Sequence, residues 1–424
     1  MFKEKFKYIL SGVIGITATG LLLAGCSSAS SNDSNGKTTL QFFSTKTENA
    51  STYKELISKF EKQNPNISVK LSSPSNAGTV LKSYLSKNSI PDVMAVGGDA
   101  NFLQLEKAHV LKDLSGQSYV NKTQPVYQKM ITSLYSGNKL YAVPYAINAS
   151  GVIYNKKLFA QAGITKTPTT WSEFINDCKI LKSKNITPIE FTFKDSWTTL
   201  AVFNQLSANM ISKNWINKRL DNKTTFAKTH KQVMAKYLEL LNYGQSDYTG
   251  TSYNDGVAAF AKDKAAMMIN GNFVIPGITQ LNKNADLGMF MLPVNENASQ
   301  NKVTSGVDVA FAISNKTEHT KAAEKFVKFL MENGNARQYT KEQFAFSAVK
   351  NVKQDSALVS GISPQLEKGQ VVNYPDHYYP SALDLTKVLT QTGVNAKSGM
   401  STSKNITQSL ENADKAFNSA NIKE

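Results

Sequence analysis

Residues 137–174 read GNKLYAVPYAINASGVIYNKKLFAQAGITKTPTTWSEF and hold the clearest structural pattern of the chain. The apolar segment 151–154 predicts a β-strand, with a short helix directly after it. A longer helix is predicted over 170–184, because its apolar residues recur at helical spacing and Thr170 with Glu173 forms a capping box. A strand followed closely by helices is typical of an α/β domain.

The same alternation of short apolar runs and amphipathic segments extends along the rest of the chain. We predict that Thr52 and Glu55 form a capping box in the first helix, and that Gly334 ends the helix over 320–332. This rhythm predicts an α/β fold with a largely parallel sheet and a helical C-terminal part from about residue 381. The other predicted strands are 38–43, 67–71, 92–96 and 307–313, and the other predicted helices are 79–87, 157–162 and 198–207.

The first 25 residues have the layout of a secretory signal, with three lysines followed by an apolar run over 8–25. The run closes as Leu23-Ala24-Gly25-Cys26, which resembles the lipobox of bacterial lipoproteins. The resemblance implies cleavage before Cys26 and a diacylglyceryl thioether on its sulfur. A membrane-spanning anchor is the alternative, although about 18 apolar residues barely cross a bilayer. Residues 26–37 then form a lipidated cysteine and a polar tether, which places the chain at the outer face of the bacterial cell membrane.

Length and charge limit the classes of protein to which the chain can belong. About 400 residues follow the signal, too many for a single hydrophobic core, so two domains are expected. The chain carries a formal charge of +16, of which the signal accounts for +2. Almost all the cations are lysines spread along the chain, and Arg219 and Arg337 are the only arginines. This pattern predicts a solvated basic surface and no nucleic-acid partner.

The sequence contains few signs of catalytic chemistry. It has neither a GxSxG nucleophile elbow nor a GxxxxGK[ST] phosphate loop, and its four histidines have no second ligand at metal spacing. Cys178 lies on the apolar face of the helix over 170–184 and is predicted to be a buried core residue. We therefore expect no catalytic residue, no metal and no cofactor. A glycosidase needs only two facing carboxylates, so a surface glycoside hydrolase or lyase stays the alternative.

The stretch at 137–174 resembles the extracellular solute-binding proteins of bacterial ABC importers, in their carbohydrate-binding, maltose-binding-protein-like group. Its Tyr-Ala-Val-Pro strand, its Gly-x-x-Tyr-Asn-Lys strand and its Pro-x-Thr-Trp helix start match the pattern of that family. Three further segments match the family in the same order along the chain: 260–277, 306–315 and 322–339. The resemblance therefore covers essentially the whole chain after the signal.

The resemblance implies a periplasmic-binding-protein-like fold of two hinged α/β lobes with a ligand cleft between them. Lobe one is then 38–146 plus 307–346, and lobe two is 147–306 plus 347–424. The implied function is that of a monomeric, non-enzymatic receptor. It would bind a sugar, expected to be an oligosaccharide, and deliver it to the membrane permease subunits of an ABC importer. A receptor for a non-sugar solute is a second alternative.

The family places several ligand-binding residues in loops after the strands of lobe one. After the first strand these are Thr45, Lys46 and Glu48, for which an ordinary exposed turn is the alternative. After the strand over 92–96, Asp99 fits an aspartate that binds sugar hydroxyls in the family, with a helix N-cap as the alternative. The stacking tryptophan that precedes this aspartate in maltose-binding protein is missing here, which argues against a maltodextrin-like pose.

The remaining candidates are aromatic residues and their neighbours. Tyr145 lies in a crossing segment, and its alternative role is hinge packing. Trp197 matches an aromatic position that stacks on sugar in the family, with core packing as the alternative. Phe273 stands where the family has a stacking tryptophan, and it keeps the π face while losing the indole N–H. Two tyrosines that fit the last stacking position, a neighbour of Phe273 and a residue of the returning strand complete the set: Tyr378, Tyr379, Asn272 and Asp308.

Overall fold

The computed structural model describes residues 36–47, 49–74, 76–135, 137–380 and 382–421, which form an α/β structure. The signal, the lipobox cysteine and most of the tether lie outside the described residues. Within these ranges ten strands make one sheet: β1 (Thr38–Ser44), β2 (Ile67–Ser72), β3 (Val93–Val96), β4 (Val143–Asn155), β5 (Thr187–Ile189), β6 (Ala265–Gly271), β7 (Leu287–Phe290), β8 (Val303–Ile313), β9 (Phe346–Ser347) and β10 (Val371–Val372).

Helices of very different length surround the sheet. In the described ranges they are α1 (Ala50–Gln63), α2 (Ala77–Ser86), α3 (Ala100–Lys107), α4 (Pro125–Thr132), α5 (Lys156–Ala162), α6 (Trp171–Ser183), α7 (Thr198–Met210), α8 (Trp215–Leu220), α9 (Phe226–Thr229), α10 (Lys231–Leu241), α11 (Tyr253–Ala261), α12 (Ile275–Leu281), α13 (Thr320–Leu330), α14 (Asn333–Glu342), α15 (Ser363–Glu367), α16 (Leu385–Lys397) and α17 (Thr402–Ala420). None of the described helices is both long enough and apolar enough to cross a membrane.

Two long strands, β4 and β8, run through the middle of the sheet and join its two ends. The order across the sheet is β2-β1-β3-β8-β4-β6-β5, with β7 and β9 on β4 and β10 on β8. The pairs β1–β2, β1–β3 and β5–β6 are parallel, but β3–β8, β4–β8 and β4–β6 are antiparallel. The prediction of a largely parallel sheet is therefore wrong at its centre, because a chain that leaves through β4 and returns through β8 must reverse its direction.

The two halves of β4 and β8 lie in the two ends of the sheet. Residues 143–146 of β4 pair with 309–311 of β8, beside β3. Residues 147–150 pair with 304–307, beside β6. The register shifts on both sides of Ala146, so the strands are irregular where they pass from one half to the other. The predicted lobe ranges divide the chain at this place, and the division stays a prediction.

Buried apolar side chains form two clusters, which lie on opposite faces of the sheet at β6. The first surrounds β1, β3, α1 and α13, where the rings of Phe42 and Tyr53 meet edge to face at 5.0 Å, and it continues past β4 and β8 to α11 and α12. The second lies under α6, α7, α10, α16 and α17. Met268 belongs to the first cluster and Met267 to the second, because neighbouring strand residues point to opposite faces. One core is therefore continuous across β4 and β8.

Helix α6 follows the sequence prediction closely. The Thr170 hydroxyl accepts a hydrogen bond from Glu173 N, and the Glu173 carboxylate accepts one from Thr170 N, so the capping box is confirmed. Cys178 is fully buried on the inner face of the helix, and burial raises the pKa of its thiol well above the usual range. It is a core residue, as predicted.

Two other local predictions are wrong. α1 begins at Ala50 without a side-chain cap, because the Thr52 hydroxyl donates instead to the Glu342 carboxylate of α14 at 2.5 Å. Gly334 does not end a helix, since α13 stops at Leu330 and α14 contains this glycine in its first turn. At Thr52 a contact between helices far apart in sequence prevails over the local pattern.

His230 is a buried imidazole of the second cluster, directly before α10. Its ring is stacked on Phe203 at 6.0 Å between centroids and lies edge-on to Trp215. Its Nδ1 is 2.9 Å from the Thr229 hydroxyl and its Nε2 is 3.3 Å from the Ser207 hydroxyl. Burial lowers the pKa of His230 to about 3, so the folded protein keeps this ring neutral.

Acid should therefore destabilise the fold through His230. The unfolded chain binds the proton near pH 6.5 and the folded chain only near pH 3, so the free energy of unfolding falls as pH drops through this window, by about 1.4 kcal/mol per pH unit from this residue. His230→Phe should flatten the pH dependence between pH 6 and pH 4 in urea titrations. His109→Asn, at an exposed histidine, is the control and should keep the wild-type slope. A slope unchanged in His230→Phe would contradict this account.

Candidate ligand-binding site

Three aromatic rings lie together, and we call them the aromatic cluster: Trp197, Tyr253 and Phe273. Trp197 stands just before α7 and is 44% exposed, whereas the other two tryptophans are buried. Its ring centroid lies 5.1 Å from that of Tyr253, the first residue of α11, and 6.2 Å from that of Phe273. A large ring left in solvent beside two others gives an apolar surface on which the C–H face of a flat ring can stack.

The residues around Phe273 fix its position. They make a 3₁₀ turn after β6, and the Phe273 ring folds back over Gly271, where a Cβ atom would lie 2.2 Å from the ring. Asn272 is buried, and its Oδ1 accepts a hydrogen bond from Ala149 N at 2.7 Å. Its Nδ2 donates to Phe344 O at 2.9 Å. Asn272 thus holds the turn against β4, with both ends of its amide bound to backbone atoms.

The loop after β1 is tied to its neighbours in lobe one. Thr45 N donates to Ala95 O at 3.0 Å, which joins the loop to β3. Lys46 Nζ pairs with Asp308 Oδ1 of β8 at 2.6 Å, and both side chains are only partly exposed. The third predicted residue of this loop, Glu48, lies outside the described residues. The structure therefore brings Lys46 and Asp308 together and keeps Thr45 beside them.

Asp99 caps α3, which confirms the alternative role that its position predicts. Its Oδ1 accepts from Asn101 N at 2.8 Å. The loop before it contacts β8, because Gly98 N donates to Val307 O at 2.8 Å. A Cβ atom at Gly97 would lie 2.7 Å from Asp99 Oδ2, so a bulky residue does not fit beside this aspartate. A contact between Asp99 and a ligand stays a prediction.

Polar side chains meet where β4 and β8 pass between the lobes, and we call them the hinge cluster: Lys46, Asn148, Ser150, Asp308 and Tyr374. Asn148 Nδ2 donates to Asp308 Oδ1 at 3.1 Å. The Tyr374 hydroxyl donates to Asn148 Oδ1 at 3.0 Å and lies 3.0 Å from Ser150 Oγ. Together with the Lys46–Asp308 ion pair, these bonds form one continuous chain from Ser150 to Lys46.

Asp376 borders the hinge cluster and belongs to the same segment as Tyr374. Its Oδ1 accepts from Asn204 Nδ2 at 2.9 Å. Burial raises the pKa of Asp376, and the negative charge of Asp99 raises it further, while His377 and the Asn204 hydrogen bond act in the opposite direction. The charges of Asp99 and Asp376 are therefore close enough to interact.

The three predicted tyrosines lie away from the aromatic cluster. Tyr145 is 2% exposed and its ring packs on Phe311 at 4.6 Å between centroids, which is the hinge packing named as its alternative. Tyr379 is 8% exposed and packs on Phe226 in the second core cluster. Tyr378 lines a groove of about 580 Å³ between α4 of lobe one and α8 of lobe two.

The sequence analysis proposed no ligand-binding role for Asn148, Tyr374 or Asp376. Asn148 carries a usable signal, because a polar side chain inside an otherwise apolar strand requires a partner. Tyr374 and Asp376 carry no such signal, since their partners lie some 170 to 230 residues away along the chain.

The site suits the binding of a polar ligand with an apolar face. Among the described residues, no group of three or more His, Cys, Asp and Glu side chains is arranged to hold a metal ion. The hinge cluster offers carboxylate, amide and ammonium groups. It lies close to the aromatic cluster, because Asn272 bonds the turn of Phe273 to Ala149, which stands between Asn148 and Ser150 in β4. Hydroxyl groups can donate to the carboxylates and accept from the amide and the ammonium.

The family model described as bacterial extracellular solute-binding protein matches residues 44–337. The chain belongs to this family. The two-lobed fold agrees: the structure of the solute-binding protein RafE in complex with raffinose is similar with a TM-score of 0.76 and 26% identity, covering 89% of this chain and 100% of that one. The apo form of RafE from Streptococcus pneumoniae gives a TM-score of 0.75 with 27% identity, covering 90% and 100% of the two chains.

The names of two relatives of this solute-binding protein state a ligand. The multiple sugar-binding protein of Streptococcus mutans serotype c is 34% identical over 358 residues, which cover 82% of this chain and 83% of the relative. The melibiose/raffinose/stachyose-binding protein MelE of Bacillus subtilis is 23% identical over 346 residues, covering 79% and 80%. The resemblance drawn from the sequence is therefore confirmed at the level of the family.

Gly271→Ala should disturb the turn that carries Phe273. The new Cβ would meet the ring at 2.2 Å, so the ring or the turn must move, and the free energy of unfolding should fall by about 1–3 kcal/mol. Gly334→Ala is the control, because no atom lies within 4 Å of a Cβ there and alanine inside α14 should stabilise by about 0.5–1 kcal/mol. Urea unfolding of the three proteins measures both effects. Wild-type stability of Gly271→Ala would mean that the ring does not rest on this glycine.

Proposed function

We propose that this chain is a lipid-anchored receptor that binds an oligosaccharide between its lobes and delivers it unchanged to the permease of an ABC importer. The observation that carries this proposal is the exposed aromatic cluster beside the hinge cluster. The rings supply a stacking surface, and the hinge cluster supplies groups that satisfy hydroxyls which would otherwise be buried without partners. The sugars for which the multiple sugar-binding protein and MelE are named support the same class of ligand.

The proposed ligand-binding set combines both lobes. From lobe one it includes the predicted residues Thr45, Lys46, Glu48, Asp99 and Asp308. From lobe two it includes Trp197 and Phe273, and we add Tyr253, Asn148 and Asp376. We assign supporting roles to Asn272, Tyr145 and Tyr379, because all three are buried. Tyr378 stays a candidate for a ligand that reaches into the groove beside α4.

The proposed motion is a closure of the lobes about β4 and β8. We take lobe one as 38–146 plus 307–346 and lobe two as 147–306 plus 347–424. The irregular register around Ala146 supports a hinge there, because the strands are less regularly bonded at that point. A sugar that contacts Asp99 on one side and Phe273 on the other would draw the lobes together and exclude water, which strengthens each hydrogen bond in the cleft.

The receptor role is tested by isothermal calorimetry with melibiose, raffinose, stachyose and maltotriose. Wild type should bind at least one of them, and Trp197→Ala or Phe273→Ala should weaken that sugar by about ten- to a hundredfold, or roughly 1–3 kcal/mol, as for the loss of an aromatic anchor. Leu281→Ala is the control, because this residue is 61% exposed and lies outside the aromatic cluster. Its affinity should equal that of wild type.

Two further results bear on the same proposal. The bound sugar should be recovered intact by chromatography, and the radius of gyration from small-angle scattering should fall when it is added. A cleaved sugar would favour the hydrolase alternative, and the two carboxylates Asp99 and Asp376 would be examined first. Unchanged affinity in both ring variants would remove the aromatic cluster from the site.

The proposed anchor is the acylated sulfur of Cys26, which would hold a monomeric receptor at the outer face of the bacterial cell membrane. Leu23-Ala24-Gly25-Cys26 motivates this proposal. Cys26→Ser should release the chain from the membrane fraction or leave it as uncleaved precursor, since the thioether needs the sulfur. Intact-mass analysis of the wild-type membrane fraction should show a chain that starts at Cys26 with a diacylglyceryl group. An unmodified Cys26 in that fraction would contradict the lipoprotein assignment.

A further inference from the structure

The hinge cluster is a hydrogen-bonded relay in which each side chain has a defined role. Asp308 is a carboxylate paired with Lys46, so its oxygens can only accept hydrogen bonds. The Asn148 amide must therefore turn its NH₂ group toward Asp308, as the 3.1 Å contact shows, and its carbonyl oxygen toward Tyr374. The orientation of this amide thus follows from its partners on both sides.

Tyr374 is the partner that fixes the carbonyl side of Asn148. Its hydroxyl has one proton, which it donates to Asn148 Oδ1 at 3.0 Å, so the Ser150 hydroxyl at 3.0 Å must donate to the tyrosine oxygen. Burial raises the pKa of Tyr374 well above its usual range, which keeps the hydroxyl protonated and in the donor role at every physiological pH.

The ring of Tyr374 is itself held in place by the backbone of β8. It is 7% exposed and lies against Gly306, where a Cβ atom would be 2.7 Å from the ring. Gly306 pairs with Asn148 across β4 and β8. The segment that carries Tyr374 is thereby attached to both hinge strands at one level of the sheet.

We propose that Tyr374 is a positioning residue of the ligand site: its hydroxyl fixes the Asn148 amide, and through it the Asp308–Lys46 pair, in the orientation that receives the sugar. This inference rests on the proposed function. The relay uses one N–H of Asn148 and one oxygen of Asp308. The second amide N–H and Asp308 Oδ2 have no other hydrogen-bond partner among the residues that the structure describes. They offer one donor and one acceptor, the two kinds of partner that a sugar hydroxyl needs.

The variant that tests this role is Tyr374→Phe, because it removes the hydroxyl and leaves the ring on Gly306. The affinity for raffinose, or for whichever sugar of the panel binds wild type, should fall by about three- to tenfold, as expected for the loss of one neutral hydrogen bond. Tyr237→Phe is the matched control. Tyr237 is buried in lobe two, and its hydroxyl has no hydrogen-bond partner among the described residues, so its removal should leave the affinity unchanged.

A double-mutant cycle separates a positioning role from a general loss of structure. If Tyr374 acts through Asn148, Tyr374→Phe should cost nothing further in an Asn148→Ala background, and the double variant should bind like Asn148→Ala alone. The same threefold to tenfold loss in both backgrounds would overturn the proposal, because Tyr374 would then act by another route. Circular dichroism and melting temperature verify that each variant is folded.

A measurement without ligand keeps the test independent of the proposed function. The side-chain NH₂ signals of Asn148 in a ¹⁵N–¹H spectrum are assigned by their absence in Asn148→Ala. These signals should shift in Tyr374→Phe and stay in place in Tyr237→Phe. Signals that do not move in Tyr374→Phe would refute the relay, whereas a wild type that binds no sugar while the signals do shift would refute only the proposed function.

Discussion

The antiparallel pairing of β4 with β8 is the constraint on which the rest of the molecule depends. These strands are 13 and 11 residues long, and they are the segments through which the two ends of the sheet are joined. Their apolar residues belong to the cores, while Asn148 and Asp308 place polar groups in the same strands. The strands therefore serve both as the support of the fold and as the floor of the candidate site.

The polar residues of these strands are tolerated because they bind one another. These side chains are partly buried, where an unpaired carboxylate or amide costs stability, but Asp308 has an ammonium and an amide as partners, and Asn148 has a carboxylate and a phenol. The side chains of Lys46 and Asp308 stay partly exposed. A ligand that reached them would find groups whose orientation is already set, so little ordering would be left to binding.

Much of the fold can be predicted from the sequence because it follows local patterns. The strand over 38–43, the capping box of Thr170 and Glu173 and the buried Cys178 all follow from residues within one turn or one strand. The reversal of direction at the sheet centre and the Thr52–Glu342 bond could not be predicted, since both depend on segments far apart in the chain. The candidate site divides differently: the resemblance to the family predicted Trp197 and Phe273 as candidates, whereas the hydrogen bonds of Asn148, Tyr374 and Asp376 depend on distant partners.

The place of β8 in the sheet also has a consequence for the order of folding. Val93 of β3 pairs with Ile313 of β8, so the sheet around β1 to β3 has no neighbour on that side until the chain has been made well past its midpoint. Contacts of such long range are slow to form, because the intervening loop must close first. A growing chain with this topology stays incomplete on one edge during most of its synthesis. Folding of this part of the sheet therefore waits for the second half of the chain, however early its own strands are made.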